Sequence, residues 1–261
     1  MHWIAVLAVL RFVSAVDKCS VGTYRHSKSP WRDGCPGFRI CEKGHYCDGD
    51  IKKACPPGVY GDKEGLTTSS CSGHCPPGYF CPAGTEFPTA HKCGNASSYC
   101  PAESARPATI PSGYYGLGES IETYSTIAIC PKGHYCRGGE KFTCPAGRYG
   151  NQIGMQNEDC AGICPGGWYC PVGTIEPTDH PCGSSPRSYC PAGSSHPVST
   201  AVGFYAVQSM QALGGGYEAQ ARCPPGNYCT QGECHPCPAG RYGTIHESIN
   251  ASCDGECYAG W

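Results

Sequence analysis

The 24 cysteines of this 261-residue chain fall on a repeating lattice, which limits the possible folds more than any other feature. From Cys41 the residues between successive cysteines number 5, 7, 15, 3, 5, 11 and 6, ending at Cys100. From Cys130 they number 5, 7, 15, 3, 5, 11 and 7, ending at Cys190. A third copy starts at Cys223 with Cys229, Cys237, Cys253 and Cys257 in matching places, and the three starts lie 89 and 93 residues apart. Side-chain grammar repeats with the spacing. Cys144-Pro-Ala-Gly-Arg-Tyr-Gly150 recurs unchanged from Cys237 to Gly243, and Cys55-Pro-Pro-Gly-Val-Tyr-Gly61 is its counterpart. A shorter motif, Cys-Pro-x-Gly-x-Tyr/Phe-Cys, recurs at 75–81, 130–136, 164–170 and 223–229. Self-similarity at a fixed period marks a repeat architecture in which each copy contacts mainly its neighbours.

Such a chain has little else to fold around. Ile, Leu, Val and Phe together make only 33 of 261 residues, well under the roughly 20% below which a packed core becomes doubtful. Net charge is only −2, which does not fit a charge-swollen disordered chain and gives no basic surface for nucleic acid. Covalent staples replace burial in small units of this kind. A bridge closing about 15 residues is worth roughly 3 kcal/mol through the entropy of the unfolded chain. Pro after Cys stiffens the turn, Gly permits positive φ, and Tyr can lie over a disulfide. Frequent Pro and Gly exclude long helices. The expected fold is therefore small and disulfide-rich: tandem cysteine-rich repeats forming an elongated rod, with short β-hairpins and almost no helix.

Residues 1–15 read as a secretory signal peptide, because Trp3 to Leu10 is an unbroken apolar run and Val13-Ser14-Ala15 offers a cleavage site. Residues 16–40 form a partial cysteine-rich unit with Cys19 and Cys35. Repeat one spans 41–129, repeat two 130–222, and repeat three 223–261, each of the first two ending in a cysteine-free stretch. Within 101–129 and 191–222, β-branched residues near Thr123–Ile129 and the Gly214-Gly-Gly216 turn predict a hairpin in each linker. Cys257-Tyr-Ala-Gly-Trp261 stands where Cys164-Pro-Gly-Gly-Trp168 stands in repeat two, so repeat three is truncated and a longer gene is expected to continue with Tyr-Cys. The apolar run at the start is shorter than the roughly 20 residues of a membrane span, and the visible chain has no other candidate.

The segment Cys144 to Cys190, with spacings 15, 3, 5, 11 and 7, resembles the six-cysteine repeat of tumour necrosis factor receptor ectodomains. Its Cys-x-x-Gly-x-Tyr opening is also similar to the ephrin-receptor-like cysteine-rich repeats of extracellular protist and algal proteins. The receptor resemblance implies bridges pairing Cys144 with Cys160, Cys164 with Cys182, and Cys170 with Cys190. The corresponding cysteines of repeat one are Cys55, Cys71, Cys75, Cys93, Cys81 and Cys100. An alternative scheme of four-cysteine modules pairs Cys130 with Cys144 and Cys136 with Cys160 and keeps the last two bridges. Isolated Cys19 and Cys35 favour the first scheme, but spacing alone leaves connectivity open, including that of Cys41, Cys47, Cys130, Cys136, Cys223 and Cys229. Cys234 has no counterpart in the other repeats, and a partner beyond the visible chain or in another molecule is expected for it.

Catalytic motifs are missing from the sequence. His45 and His134 share one slot, Gly-His-Tyr-Cys, where a repeated packing role is simpler than two active sites, since catalysis needs a convergent site. No nucleophile elbow, His-Glu-x-x-His or phosphate loop occurs. The Cys-x3-Cys pairs 71/75, 160/164 and 253/257 and the Cys234-x2-Cys237 pair have zinc-like spacing, but a secreted, even eight-cysteine repeat suits bridges better. Asp48-Gly49-Asp50 reads as a solvated turn rather than a calcium loop. No cofactor is expected. Asn95-Ala-Ser97 and Asn250-Ala-Ser252 have the form of glycosylation acceptors. Trp31 with Arg32 is the one exposed pair suited to a partner contact. The sequence thus implies a non-enzymatic secreted or cell-surface protein with a structural, adhesive or matrix role and an extracellular protein or matrix partner. A receptor-type ligand-binding ectodomain is the second reading.

Overall fold

The computed structural model describes residues 21–26, 37–48, 51–208 and 214–258. The signal-peptide segment, Cys19, Trp31, Arg32, Cys35, Gly49, Asp50 and Trp261 lie outside the described residues. Those that are described contain no helix and eleven two-stranded sheets, with strands of two to six residues. The fold is a small, disulfide-rich assembly of hairpins. Ribbons this short are marginal in isolation, so other contacts must fix them. The described residues fall into two compact units. One lies within Met1–Pro111, Tyr115–Ala128 and Gly138–Glu140, the other within Ser112–Tyr114, Ile129–Arg137 and Lys141–Trp261.

The elementary building block is a turn of about seven residues. In Cys75-Pro-Pro-Gly-Tyr-Phe-Cys81 the Tyr79 N–H donates to Pro76 O at 3.3 Å, and Gly78 adopts φ 85°, as the third position of a type II turn requires. Reversal at Gly78 brings Cys75 and Cys81 to a Cα separation of 5.9 Å, and they are bonded. The same closure joins Cys41 to Cys47, Cys130 to Cys136, Cys164 to Cys170, and Cys223 to Cys229.

This closure corrects the pairing that the receptor resemblance implied. Cys164 is bonded to Cys170 and Cys182 to Cys190, not Cys164 to Cys182 and Cys170 to Cys190. Repeat one follows suit, with Cys75 to Cys81 and Cys93 to Cys100. The four-cysteine alternative fails as well, because Cys130 and Cys136 bond each other. The physical reason is local. A Pro-x-Gly turn folds Cys-x5-Cys back on itself, so the nearest sulfur is the next one in sequence. Cys144 with Cys160 is the implied pair that is present, and Cys55 with Cys71 and Cys237 with Cys253 repeat it. In these turns glycine replaces the closing cysteine. A Cβ on Gly150 would lie 2.8 Å from Cys144 Sγ and 2.7 Å from Met155 Cε, so the opening sulfur fills that space and finds its partner 16 residues on.

Successive turns are clamped together by a glycine, as at Gly58 and Gly133. Gly58 O accepts the Cys75 N–H at 2.9 Å, while the Gly58 N–H donates to Cys81 O at 2.8 Å. Gly133 does the same with Cys144 and Gly150, at 2.9 and 2.7 Å. Both backbone groups of the glycine are thereby satisfied by the two ends of the following turn, as buried amides demand. A side chain there would also meet the backbone just past the turn after that one: a Cβ on Gly58 would lie 2.6 Å from Glu103 O, and one on Gly133 would lie 2.7 Å from Gly173 O.

The cysteine-free stretches form the expected hairpins, Tyr114–Gly118 with Tyr124–Ile129 and Phe204–Gln208 with Tyr217–Arg222. They are more than linkers. Gly113 and Gly203 adopt φ 82° and 80°, and their carbonyls accept the Cys130 and Cys223 N–H groups at 2.8 and 2.9 Å. Ile110-Pro-Ser-Gly-Tyr-Tyr-Gly116 and Thr200-Ala-Val-Gly-Phe-Tyr-Ala206 are thus turns of the same kind without sulfur, with Ile110 and Ala206 buried where cystines sit elsewhere. Each long repeat therefore holds five turns, opening at 41, 55, 75, 93 and 110 and again at 130, 144, 164, 182 and 200. The largest fully buried side chains are cysteines, so sulfur occupies the place an aliphatic core would take.

Candidate functional site

Of the 14 cysteines singled out in the sequence, all but Cys19 and Cys35 are described, and every one of those twelve is in a disulfide. Their sulfurs are closed to metal and to nucleophilic chemistry. The zinc-like pairs are split between different bridges: Cys71 bonds Cys55 while Cys75 bonds Cys81, and Cys160 bonds Cys144 while Cys164 bonds Cys170. Free thiols among the described residues are those of Cys234 and Cys257.

The two histidines in the shared slot make one and the same contact. His45 Nδ1 lies 3.1 Å from Lys43 O, and His134 Nδ1 lies 3.1 Å from Lys132 O. Asp48 is engaged by Lys53, 3.1 Å away. Asn95 and Asn250 are exposed, and each side-chain oxygen closes an Asx turn, accepting the N–H of Ser97 or Ser252 at 3.0 Å. In the third repeat Asp254 Oδ2 accepts from the Thr244 N–H, from Thr244 Oγ1 at 2.8 Å and from the Ile245 N–H at 3.0 Å. The Thr244 backbone bond, then its hydroxyl, hold this carboxyl below the ordinary aspartate range.

A surface feature that the sequence reading missed is a recurrent ring pair. The residue before the closing cysteine of a turn packs its ring against the side chain opposite it: Tyr135 stacks on Phe142 and Tyr169 on His180, and Phe80 lies tilted against His91, each with ring centres 5.3 Å apart, while Tyr228 lies tilted against His235 at 5.4 Å. At the matching place in repeat one the Lys53 ammonium lies 5.9 Å from the Tyr46 ring centre. The signal lies in the recurrent Tyr/Phe-Cys, which the sequence alone suggests as a cover for the disulfide. Its partner depends on hairpin register, with Tyr46 facing Lys53 and Tyr228 facing His235. A shallow groove of about 260 Å³ lies among Pro77, Tyr79, Glu119 and Thr123.

The remaining chemistry gathers in the third repeat. Cys234 Sγ lies 4.0 Å from Cys223 Sγ, and the sulfurs of Cys223, Cys229 and Cys234 all lie within 4.8 Å of one another. Partial desolvation raises the Cys234 thiol above its ordinary pKa.

So many bridges fit an extracellular or secreted protein, since disulfides persist in oxidising compartments. No described helix is long and apolar enough to cross a membrane. No model of a known protein family matches this chain, and no curated protein does either.

Proposed function

We propose that this chain is a non-enzymatic, secreted or cell-surface cysteine-rich repeat protein with a structural, adhesive or matrix role. The observation that carries the reading is the glycine clamp. At Gly44, Gly58, Gly133, Gly147 and Gly226 alike, a turn hands both of its polar ends to the glycine of the turn before it, so much of the sequence is spent on joining like parts. Residues committed to repetition serve spacing and display rather than a single convergent chemical centre. The apolar segment within residues 1–15 is the export signal in this reading, and exposed Asn95 and Asn250 are its glycan acceptors. The resemblance to tumour necrosis factor receptor and ephrin-receptor-like repeats adds an extracellular context, while the Cys164–Cys170 and Cys182–Cys190 bridges separate the chain from the receptor pairing. The partner is an extracellular protein or matrix component.

A ligand-gripping ectodomain is the second reading, favoured by the recurrent rings at Tyr135, Tyr169 and Tyr228, because aromatic side chains concentrate at binding hot spots. Antibody labelling of intact, unpermeabilised source cells, followed by extraction with and without reductant, tests the first. Labelled material that resists extraction until reductant is added is the expected result. Protein confined to the cell interior with reduced thiols would overturn it, and a freely extractable monomer that saturably binds one soluble protein would favour the second reading.

A further inference from the structure

We propose that Cys223, Cys229 and Cys234 form a single thiol–disulfide exchange site, in which the bridge migrates between Cys223–Cys229 and Cys223–Cys234. The hairpin Asn227–Thr230 with Glu233–Pro236 places Cys229 directly opposite Cys234. The Cys229 N–H is committed to Ser248 O at 2.8 Å, away from the facing strand. The two cysteines therefore occupy a non-hydrogen-bonded pair, where strands bring side chains closest. The register is held by the two-residue turn Gln231-Gly232, both at positive φ of 53° and 81°, the signature of a type I′ hairpin. Gly232 is further pinned because a Cβ there would collide with Pro186 O.

The third repeat alone is built this way. In repeat one the residue facing the closing cysteine Cys47 is Lys52, and in repeat two the equivalent position is Lys141. Substituting a thiol for the ammonium sets the Cys234 sulfur 4.0 Å from the Cys223 sulfur, beside an existing bridge, and the Cys234 side chain must turn to attack in line with the Cys223–Cys229 bond.

The step is balanced without an outside oxidant or reductant. Cys234 loses its proton; its thiolate attacks Cys223 Sγ; the Cys223–Cys234 bond forms as the Cys223–Cys229 bond breaks; and the departing Cys229 thiolate takes up a proton. One thiol and one disulfide stand on each side. What changes is exposure. Cys234 is exposed, whereas Cys223 and Cys229 are fully buried. Migration of the bridge withdraws the accessible thiol and leaves a buried one, so the site controls whether this repeat presents a sulfur for linkage to another molecule. The proposal stands whether the chain is a matrix component or a ligand-binding ectodomain.

Cleavage after Tyr228 and Glu233 puts the three cysteines on three peptides, so linkage can be mapped by mass spectrometry after alkylation of the unreduced full chain. The expected result is two species, one alkylated at Cys234 with Cys223 joined to Cys229, the other alkylated at Cys229 with Cys223 joined to Cys234. Their interconversion should quicken about tenfold per pH unit while the attacking thiol is mostly protonated. Cys229→Ser should give a Cys223–Cys234 bridge, and Cys234→Ser should leave only Cys223–Cys229. A single species alkylated at Cys234 at every pH up to 9, or Cys229→Ser carrying two alkylated thiols at Cys223 and Cys234, would overturn the proposal.

Discussion

Gly147 O accepts the Cys164 N–H at 2.9 Å, so a residue without a side chain fixes where the next cystine turn begins. The Gly147 N–H in turn donates to Cys170 O at 2.8 Å. The glycine thus holds both ends of the loop that the Cys164–Cys170 bridge closes, and the hydrogen bonds and the disulfide constrain the same few residues. Gly226 makes the matching pair of bonds with Cys237 and Gly243, at 2.9 and 2.7 Å.

These two glycines separate conformational strain from packing. Both have positive φ, 83° at Gly147 and 79° at Gly226. A Cβ at Gly147 would collide with Gly193 O, whereas at Gly226 it would meet nothing within 4 Å. Gly226→Ala should therefore cost about 1–2 kcal/mol, the penalty for a left-handed L residue. Gly147→Ala should cost roughly 1–3 kcal/mol more, since backbone must shift to admit the methyl. Urea denaturation without reductant, followed by near-ultraviolet circular dichroism, checks the order. Equal midpoints for the two variants would show that the third-turn contact carries no energy.

Bridge removal should follow loop length. By the chain-entropy relation, deleting the pair Cys144 and Cys160, 16 residues apart, costs about 3 kcal/mol, and deleting the pair Cys164 and Cys170, six apart, about 2.4 kcal/mol. Single Cys170→Ser should be worse than the double serine variant, because it strands a buried Cys164 thiol. It should also far exceed His134→Ala, which removes only an exposed ring contact with Lys132 O. Thermal midpoints of the four variants test the ranking. Peptide mapping after cleavage at Tyr169 and before Asp179, which puts Cys164, Cys170 and Cys182 on separate peptides, should recover Cys164 linked to Cys170, and recovery of a Cys164–Cys182 link would contradict it.

What was legible in the sequence was whatever is encoded locally. Pro-x-Gly between cysteines specifies a turn on its own, and a lattice of such turns specifies hairpins without helix. Connectivity was not legible from spacing, because Cys164 stands at the same sequence distances under either pairing. The decisive quantity is the reversal at Gly167, whose φ of 80° returns the chain to its start. The sulfur-free turns at Ile110 and Thr200 are not legible from the cysteine lattice, although Pro111-Ser-Gly113 and Val202-Gly203 carry the turn signal. The unusual place of Cys234 was visible, but its nearness to Cys223 and Cys229 required hairpin register, which Gln231-Gly232 sets and single-residue spacing does not.

Acid should loosen the third repeat first. Hydrogen bonds from Thr244 and Ile245 hold the Asp254 carboxyl below its ordinary value of 3.8. A folded pKa depressed below the unfolded one gives a contribution that is complete above the unfolded value and is lost as pH falls through the folded one. The loss should thus set in below about pH 4 and vanish in Asp254→Asn. Carboxyl carbon chemical shifts, recorded by nuclear magnetic resonance from pH 5 to 2, should place Asp254 below the other aspartates. A titration at or above the ordinary value would refute the bonding pattern.

Glycan attachment should occur at Asn95 and Asn250 in secreted material. Both lie in exposed Asx turns, where the backbone is accessible and no packing opposes a bulky sugar. Enzymatic removal of N-linked glycans should lower the mass by two glycan increments, and Asn95→Gln and Asn250→Gln should each remove one. Unchanged mass on treatment of secreted protein would exclude both acceptors.

Reduction should dismantle the fold throughout rather than loosen it. Outside the cystines, the buried apolar side chains among the described residues are Ile110, Met155 and Ala206, far too few to offset the roughly 1–2 kcal/mol per residue of backbone entropy. The clamps at Gly58, Gly133 and Gly147 cannot substitute, because a backbone hydrogen bond contributes only about 1 kcal/mol net once water competes for the same groups. The clamps at Gly58 and Gly147 also depend on turns whose two ends a bridge already holds together, and the turn that Gly133 clamps is anchored at its first residue by the Cys144–Cys160 bridge. Breaking the bridges therefore removes the geometry that makes the clamps possible. In excess reductant, amide proton dispersion and near-ultraviolet circular dichroism should collapse in a single step across all three repeats. A cooperative thermal transition that survived full reduction would mean that the clamps, not the sulfur, hold the chain.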